Sequence, residues 1–152
     1  METLGGLQNI PGYGPIGANG IVYYHGALYV ANTTRGHIVR IPILPRGDPG
    51  EPEMLADDSA LDGIDGLAVD VHGRMVAAII GQDTIVGVCA RTGRFRVLAE
   101  GDPIDGPAST TFGAGVDSVS TVFFTNYAVL NQVDRQPGVL KMELPWPPGN
   151  RP

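Results

Sequence analysis

Gly17-Ala18-Asn19-Gly20-Ile21-Val22-Tyr23-Tyr24-His25-Gly26-Ala27-Leu28-Tyr29-Val30-Ala31-Asn32 is the stretch that decides the architecture. It reads as a strand opened by Asn-Gly, a tight turn at His25-Gly26 and a second strand ending at Asn32. β-Branched and aromatic residues favour strands, and glycine marks the turns between them. The plan returns at Asp65-Gly66-Leu67-Ala68-Val69-Asp70-Val71-His72-Gly73-Arg74-Met75-Val76-Ala77-Ala78, with Gly66 placed 46 residues after Gly20. A weaker third copy opens near Ser109 and continues as Val122-Phe123-Phe124-Thr125-Asn126, beside Leu28-Tyr29-Val30-Ala31-Asn32.

Working outward, the first copy predicts strands at Gly20–Tyr24, Ala27–Asn32, His37–Ile43 and Glu53–Ala56. The second predicts Gly66–Val71, Arg74–Ile80, Thr84–Cys89 and Phe95–Ala99, and the third Ser109–Gly113, Thr121–Asn126 and Gly138–Leu144. No segment sustains a 3.6-residue apolar period, so helix content is expected near zero. Four antiparallel strands every 43 to 46 residues is the rhythm of propeller blades, whose repeats run about 40–45 residues. A single small sandwich is the competing architecture, and the sequence match between copies favours the propeller. The expected fold is therefore all-β: one domain over 1–152 with three four-stranded antiparallel blades at about 19–56, 65–100 and 108–144. The third has no fourth strand of its own, because Pro145-Trp146-Pro147-Pro148 forbids regular pairing. Residues 1–18 form an N-terminal segment, in which Thr3–Leu7 is a candidate edge strand, and 145–152 a Pro-rich tail.

Composition narrows the function. With 152 residues, 43% of them apolar, the chain has room for a hydrophobic core. Gly 22 and Pro 13 sit between strand-like runs, as in proteins of many short strands. A net charge of −6 with scattered arginines argues against nucleic acid as a partner. No apolar run approaches 18 residues, and the start lacks the basic and apolar regions of a signal peptide, so a soluble, cytoplasmic protein is expected. The single cysteine, Cys89, excludes an internal disulfide and a cysteine-based zinc site. It reads as a buried structural thiol. Gly12-Tyr13-Gly14-Pro15-Ile16-Gly17 matches G-x-G-x-x-G only formally, because a strand pattern follows where that fingerprint needs a helix.

Asn19 and Asp65 occupy equivalent positions, each just before a glycine at the entry of an innermost strand. An amide oxygen and a carboxylate converging on a propeller axis are hard ligands suited to a divalent ion. Asn-Gly and Asp-Gly are also common turn dipeptides, and both readings stand on the residues alone. Asp57, Asp58 and Asp62 read as a solvated loop, and Tyr13, Tyr23, Tyr24 and Tyr29 as packing residues. Ser59, Ser109, Ser118 and Ser120 have no histidine placed beside them, since His25 and His72 sit in hairpin turns and His37 opens an outer strand. With no Gly-x-Ser-x-Gly, a serine hydrolase is rejected.

Asn19-Gly20-Ile21, Tyr29-Val30-Ala31-Asn32, Ile38-Val39-Arg40-Ile41-Pro42, Asp65-Gly66-Leu67-Ala68-Val69-Asp70 and Ser109-Thr110-Thr111-Phe112-Gly113 together resemble the gluconolactonase/regucalcin-like (senescence-marker-protein) family over about residues 17 to 142. The resemblance implies the C-terminal half of a six-bladed propeller with a divalent metal in its channel. It further implies hydrolysis of a small, sugar-type lactone. By it, Asn19 and Asp65 correspond to metal ligands, Asp65 also to the general base, and Ser109 or Thr110 to the pocket wall, with Ala108 where a third ligand would align. Calcium or zinc is the implied ion, with magnesium a further candidate. The other family ligands belong to a half that this chain does not contain.

Three blades are fewer than a closed propeller needs, and an open stack would expose apolar faces on its first and last blades. A homodimer would complete six blades around a small-molecule ligand. The alternatives are a non-enzymatic propeller module for ligand binding or assembly, without a competent metal site, and one half of a hetero-assembly.

Overall fold

The computed structural model describes residues 9–10, 14–114, 120–130 and 133–145. The expected edge strand at Thr3–Leu7, along with Tyr13, Ser118 and Trp146 to Pro148, lies outside the described residues. Three antiparallel sheets follow one another along the chain, each laid down as an up-and-down meander. The first contains β3 (Ala18–Tyr24), β4 (Ala27–Asn32), β5 (His37–Pro42) and β6 (Glu53–Asp57). The second contains β7 (Ile64–Val69), β8 (Arg74–Ile79), β9 (Thr84–Cys89) and β10 (Phe95–Glu100). The third has three strands rather than four: β11 (Pro107–Phe112), β12 (Thr121–Asn126) and β13 (Gly138–Glu143). A small hairpin of β1 (Asn9–Ile10) and β2 (Gly14–Pro15) precedes them. The only helical turn among the described residues is a 3-10 turn at Ser59–Leu61, capped by Asp58, whose Oδ1 accepts from the Ala60 amide at 2.9 Å. Asp58 is thus a capping residue, as a solvated loop suggests. No helix among the described residues is long and apolar enough to cross a membrane.

Local chemistry explains the hairpins. β3 and β4 are joined by the two residues His25 and Gly26, whose φ values of 44° and 76° are both positive, as a type I′ turn requires. Between β7 and β8, Asp70 replaces that device with side-chain bonds. Its Oδ1 accepts from the His72 and Arg74 amides at 2.8 and 2.9 Å, and its Oδ2 receives the buried Arg74 Nε at 2.6 Å. A buried charge is tolerated only when paired in this way.

Strand alternation decides which face each blade turns to its neighbour. Val22, Tyr24, Ala27, Tyr29, Ala31 and Ile38 of the first blade pack against Leu67, Val69, Met75, Ala77, Val86 and Val88 of the second. On its other face the second blade presents Val76, Ala78 and Ile85 to Phe112, Val122, Phe124, Leu140 and Met142 of the third. The second blade is therefore apolar on both faces, and β8 is buried along its whole length.

The two end faces differ, contrary to the expectation that both are apolar. On the first blade, Ile21, Val30, Val39 and Met54 stand in one cross-strand row and Tyr23, Leu28 and Ile41 in the next. On the third blade the outward rows are Ser109, Thr125 and Val139, then Thr111, Phe123 and Lys141, then Thr121 and Glu143. Lys141 Nζ lies 2.8 Å from Glu143 Oε1, which also accepts from Thr121 Oγ1 at 3.1 Å. The last blade's outward face mixes hydroxyls and an ion pair with the exposed apolar side chains of Phe123 and Val139. Cys89 also departs from expectation: it ends β9 half-buried rather than buried.

Candidate functional site

Each innermost strand carries the same irregularity. Ala18 pairs with Asn32 and Ile21 with Val30, so β3 spends one more residue than β4 between the two pairs. The same slip separates Ile64/Ile79 from Leu67/Ala77 and Pro107/Asn126 from Ser109/Thr125. A bulge of this kind bends the strand and re-aims one side chain out of the in-out alternation. The re-aimed positions are Asn19, Asp65 and Ala108, and all three line one pocket of about 220 Å³. The convergence of Asn19 and Asp65 expected from the repeat is thus present.

The glycine after each bulge residue is a close-packing requirement. A Cβ on Gly66 would stand 2.5 Å from the Ala108 carbonyl oxygen, and one on Gly20 would overlap the Asp65 carbonyl oxygen. Asn-Gly and Asp-Gly are therefore not turns here. They are places where one blade's inner strand meets the backbone of the next.

A second tier of the pocket comes from Thr33, Ile80 and Tyr127, the first residues beyond β4, β8 and β12. Nothing in the linear sequence singled these out, although each directly follows the equivalent strand ends Asn32, Ile79 and Asn126. The two asparagines brace the loops that follow. Asn32 Oδ1 accepts from the Arg35 amide at 3.1 Å, and Asn126 Nδ2 donates to the carbonyls of Pro103 and Gln136 at 2.7 and 3.0 Å. Ile16, Val129 and Leu130 complete the wall. Apart from Asn19, Thr33, Asp65 and the Tyr127 hydroxyl, the lining is apolar.

That setting tunes the carboxyl. Burial pushes the Asp65 pKa from 3.8 up to about 6, with a hydrogen bond from Asn19 pulling the other way. Desolvation penalises the ionised form, and the amide donor stabilises it. Asn19 is itself oriented by Thr33, its Nδ2 donating to Thr33 Oγ1 at 3.1 Å. The arrangement is an acid–base group with a fixed neighbour in a largely apolar recess.

Ser109 and Thr110 do not join it. The Thr110 hydroxyl donates to the Val76 carbonyl at 3.2 Å in the junction between the second and third blades. Ser109 sits exposed on the third blade's outward face. The pocket position at the third bulge is Ala108, as its alignment with Asn19 and Asp65 implies. The histidines stay in their expected places, with His25 and His72 in turns and His37 opening β5, where burial lowers its pKa.

As metal ligands, Asn19 and Asp65 have the right hard-oxygen chemistry but supply two side chains between them. No group of three or more His, Cys, Asp or Glu side chains is placed to hold a metal ion among the described residues. Calcium takes 6–8 oxygens and magnesium a full octahedron. One chain makes a partial donor set.

No protein-family model matches this chain, and no curated protein matches it in sequence. Solved structures do match. The calcium-binding protein regucalcin of Agrobacterium tumefaciens strain C58 aligns with 87% of this chain and 48% of its own, at 19% identity and a TM-score of 0.67. Luciferin-regenerating enzyme aligns with 82% of this chain and 43% of its own, at 16% identity and a TM-score of 0.64. A chain of the nidogen/laminin complex covers 83% and 44% at 16% identity, with a TM-score of 0.65. At such identities the likeness establishes the fold: the three sheets are β-propeller blades, arranged as in regucalcin. The chain spans less than half the length of each of these three proteins.

Proposed function

We propose that this chain forms one wall of the axial pocket of a β-propeller that hydrolyses a small, sugar-type lactone with the help of a divalent cation. The observation that carries the proposal is the meeting of Asn19 and Asp65, from equivalent bulges, in one pocket where burial raises the Asp65 pKa to about 6. A general base works best when its pKa lies near the operating pH. At pH 7 Asp65 is mostly ionised and accepts the proton of an attacking water. The water oxygen bonds to the lactone carbonyl carbon, the ring C–O bond breaks, and the ring oxygen takes a proton to give the hydroxy acid. Asn19, held by Thr33, orients the carboxylate, and the apolar lining excludes competing water.

Asn19 and Asp65 are also the residues that would hold the cation, calcium being the ion named for the regucalcin relative. When bound, such an ion polarises the carbonyl as a Lewis acid. Its remaining oxygens must come from outside these residues, and a second copy of the chain, expected from the sequence, is one source. A second reading is a binding module without catalysis, which the methyl group of Ala108 at the third bulge favours. Lactone hydrolysis followed by pH-stat, with and without added calcium or zinc, separates the two. Asp65→Asn should lower any metal-stimulated rate at least ~100-fold, the low end of what general-base catalysis supplies. A variant as active as the natural chain sinks the mechanism, and a chain without activity or any metal-induced rise in melting temperature supports the module.

A further inference from the structure

The pocket wall divides by chemistry. Asn19 Nδ2 donates to Thr33 Oγ1 at 3.1 Å, and Asn19 also hydrogen-bonds the Asp65 carboxyl, so these three polar side chains form one linked patch. Ile16, Ile80, Ala108, Val129 and Leu130 make up the rest of the lining among the described residues, together with Tyr127. At about 220 Å³ the recess is small beside the roughly 300–1,000 Å³ usual for ligand sites, and suits a small molecule.

The apolar part is a built feature of the third blade. Thr33-Thr34-Arg35-Gly36 joins β4 to β5 and Ile80-Gly81-Gln82-Asp83 joins β8 to β9, four residues each, whereas β12 and β13 are separated by the eleven residues 127–137. Each short connection gives the pocket one side chain, Thr33 or Ile80, and the long one gives it Val129 and Leu130 as well as Tyr127. The segment that carries them is anchored on the loop before β11. The Tyr127 and Ala128 amides donate to the carbonyls of Gly106 and Asp105 at 2.9 and 3.0 Å. Gln136 is held three ways: its amide donates to Asp105 Oδ2 at 2.8 Å, its carbonyl accepts from Asn126 Nδ2 at 3.0 Å, and its Nε2 donates to Asp102 Oδ1 at 2.5 Å. A wall fixed in advance loses less freedom when a ligand arrives.

Such a wall is a poor seat for a polyol. A hydroxyl laid on Ile80, Val129 or Leu130 loses water without gaining a partner, whereas a hydrocarbon group gains by the same burial. Resting on the reading of Asp65 and Asn19 as the reacting end, we infer that the substrate is a lactone with the ring of a sugar lactone but a hydrocarbon substituent in place of hydroxyls, seated on Ile80, Val129 and Leu130. The sugar-type character is thereby confined to the ring. Val129 and Leu130 are the residues that set specificity.

Binding tests this without requiring turnover. Amide chemical shifts of the isotope-labelled full chain are followed against three five-membered lactones: γ-butyrolactone without a substituent, γ-heptalactone with a propyl group, and D-galactono-γ-lactone with hydroxyls. γ-Heptalactone should bind at least ~10-fold more tightly than either of the others, since each buried methylene contributes about fourfold, and should shift Ala108, Val129 and Leu130 most. Leu130→Asn should weaken γ-heptalactone at least ~5-fold and leave γ-butyrolactone unchanged, with a smaller loss for Leu130→Ala, and Val129→Asn should repeat the pattern through a separate side chain. Circular dichroism establishes that each variant is folded. Equal or tighter binding of D-galactono-γ-lactone overturns the inference. So does γ-heptalactone that fails to bind, or that binds without shifting Val129 and Leu130. In a pH-stat, γ-heptalactone that is bound but not hydrolysed removes the catalytic reading and supports this one. Hydrolysis of D-galactono-γ-lactone in preference to γ-heptalactone overturns this inference and keeps the catalytic reading.

Discussion

The first and third blades share one backbone plan, down to the bulge and the strand register, and differ in what they show to the outside. Where the first sets Val22, Ala27 and Ala31 against its neighbour, the third has at the matched positions the exposed Thr111, the half-buried Thr125 and the buried Thr121, which donates to Glu143. Threonine keeps the strand preference that valine has, and each of the three hydroxyls has a partner within its own blade: Thr111 donates to the Phe112 carbonyl, Thr121 to Glu143, and Thr125 accepts from the Ser109 amide. Apolar area removed from water stabilises by about 25 cal/mol per Å², whereas a buried hydroxyl must find a partner. The polarity of a blade's face is therefore set by a few side chains, separately from the backbone plan that the blades share.

The strongest way to break this contrast is at the inner-strand glycines. Gly66→Ala should cost about 3 kcal/mol in urea or thermal unfolding, because its Cβ would press on the Ala108 backbone and overpacking of this kind typically costs 1–3 kcal/mol or more. If Gly66→Ala is as stable as the natural chain, the second and third blades are not joined as described.

The next largest effect separates the second bulge from the third through pH. Asp65 has a folded pKa of about 6 against 3.8 for the unconstrained group, so the folded chain binds this proton more readily than the unfolded one. Its carboxyl leaves the fold most stable below pH ~4, and that contribution is lost as the pH rises through 6. Asp65→Asn should accordingly unfold about 2 kcal/mol less readily than the natural chain at pH 7 and show no difference at pH 3.5. The reverse trend would mean that Asp65 is stabilised as an anion.

Ala108→Asp sharpens the same comparison by making the third bulge resemble the second. A third oxygen ligand should tighten calcium or zinc binding by roughly tenfold, about 1.4 kcal/mol, read as a metal-dependent rise in melting temperature. No change would mean that the three bulge side chains do not share a cation. The smallest effect belongs to the open face itself. Val139→Lys, at a residue 70% exposed, should alter stability by no more than about 0.5 kcal/mol, and a larger loss would show that this face is covered.

Much of this was legible in the sequence. Val22 to Tyr24, Leu28 to Asn32 and Val122 to Asn126 announce strands by composition, and their recurrence announces blades, because each repeat must bury its faces on the next. The strand ends fell within a few residues of those expected, and Asn19 and Asp65 were recognised as equivalent. A bulge, however, is a relation between two strands, and no single strand displays it. Ala108 aligns with Asn19 and Asp65 in the sequence too, but that Ser109 turns outward and Thr110 into the blade junction follows only from the slip. Thr33, Ile80 and Tyr127 were missed because they lie past the strand ends, where the repeat has no common residue type. The polarity of the third blade's face was written in Thr111, Thr121 and Thr125, but threonine is an ordinary strand residue. Only the register shows that all three point the same way.

The bulge has one more consequence. A residue in the regular alternation of a strand answers to its neighbours above or below the sheet, so its identity is constrained by volume. Asn19, Asp65 and Ala108 stand outside that alternation, and three side chains of different size and charge occupy the same backbone site without a shift in the flanking register. Selection can therefore rewrite the chemistry of the pocket one position at a time, while the architecture that holds it is inherited unchanged.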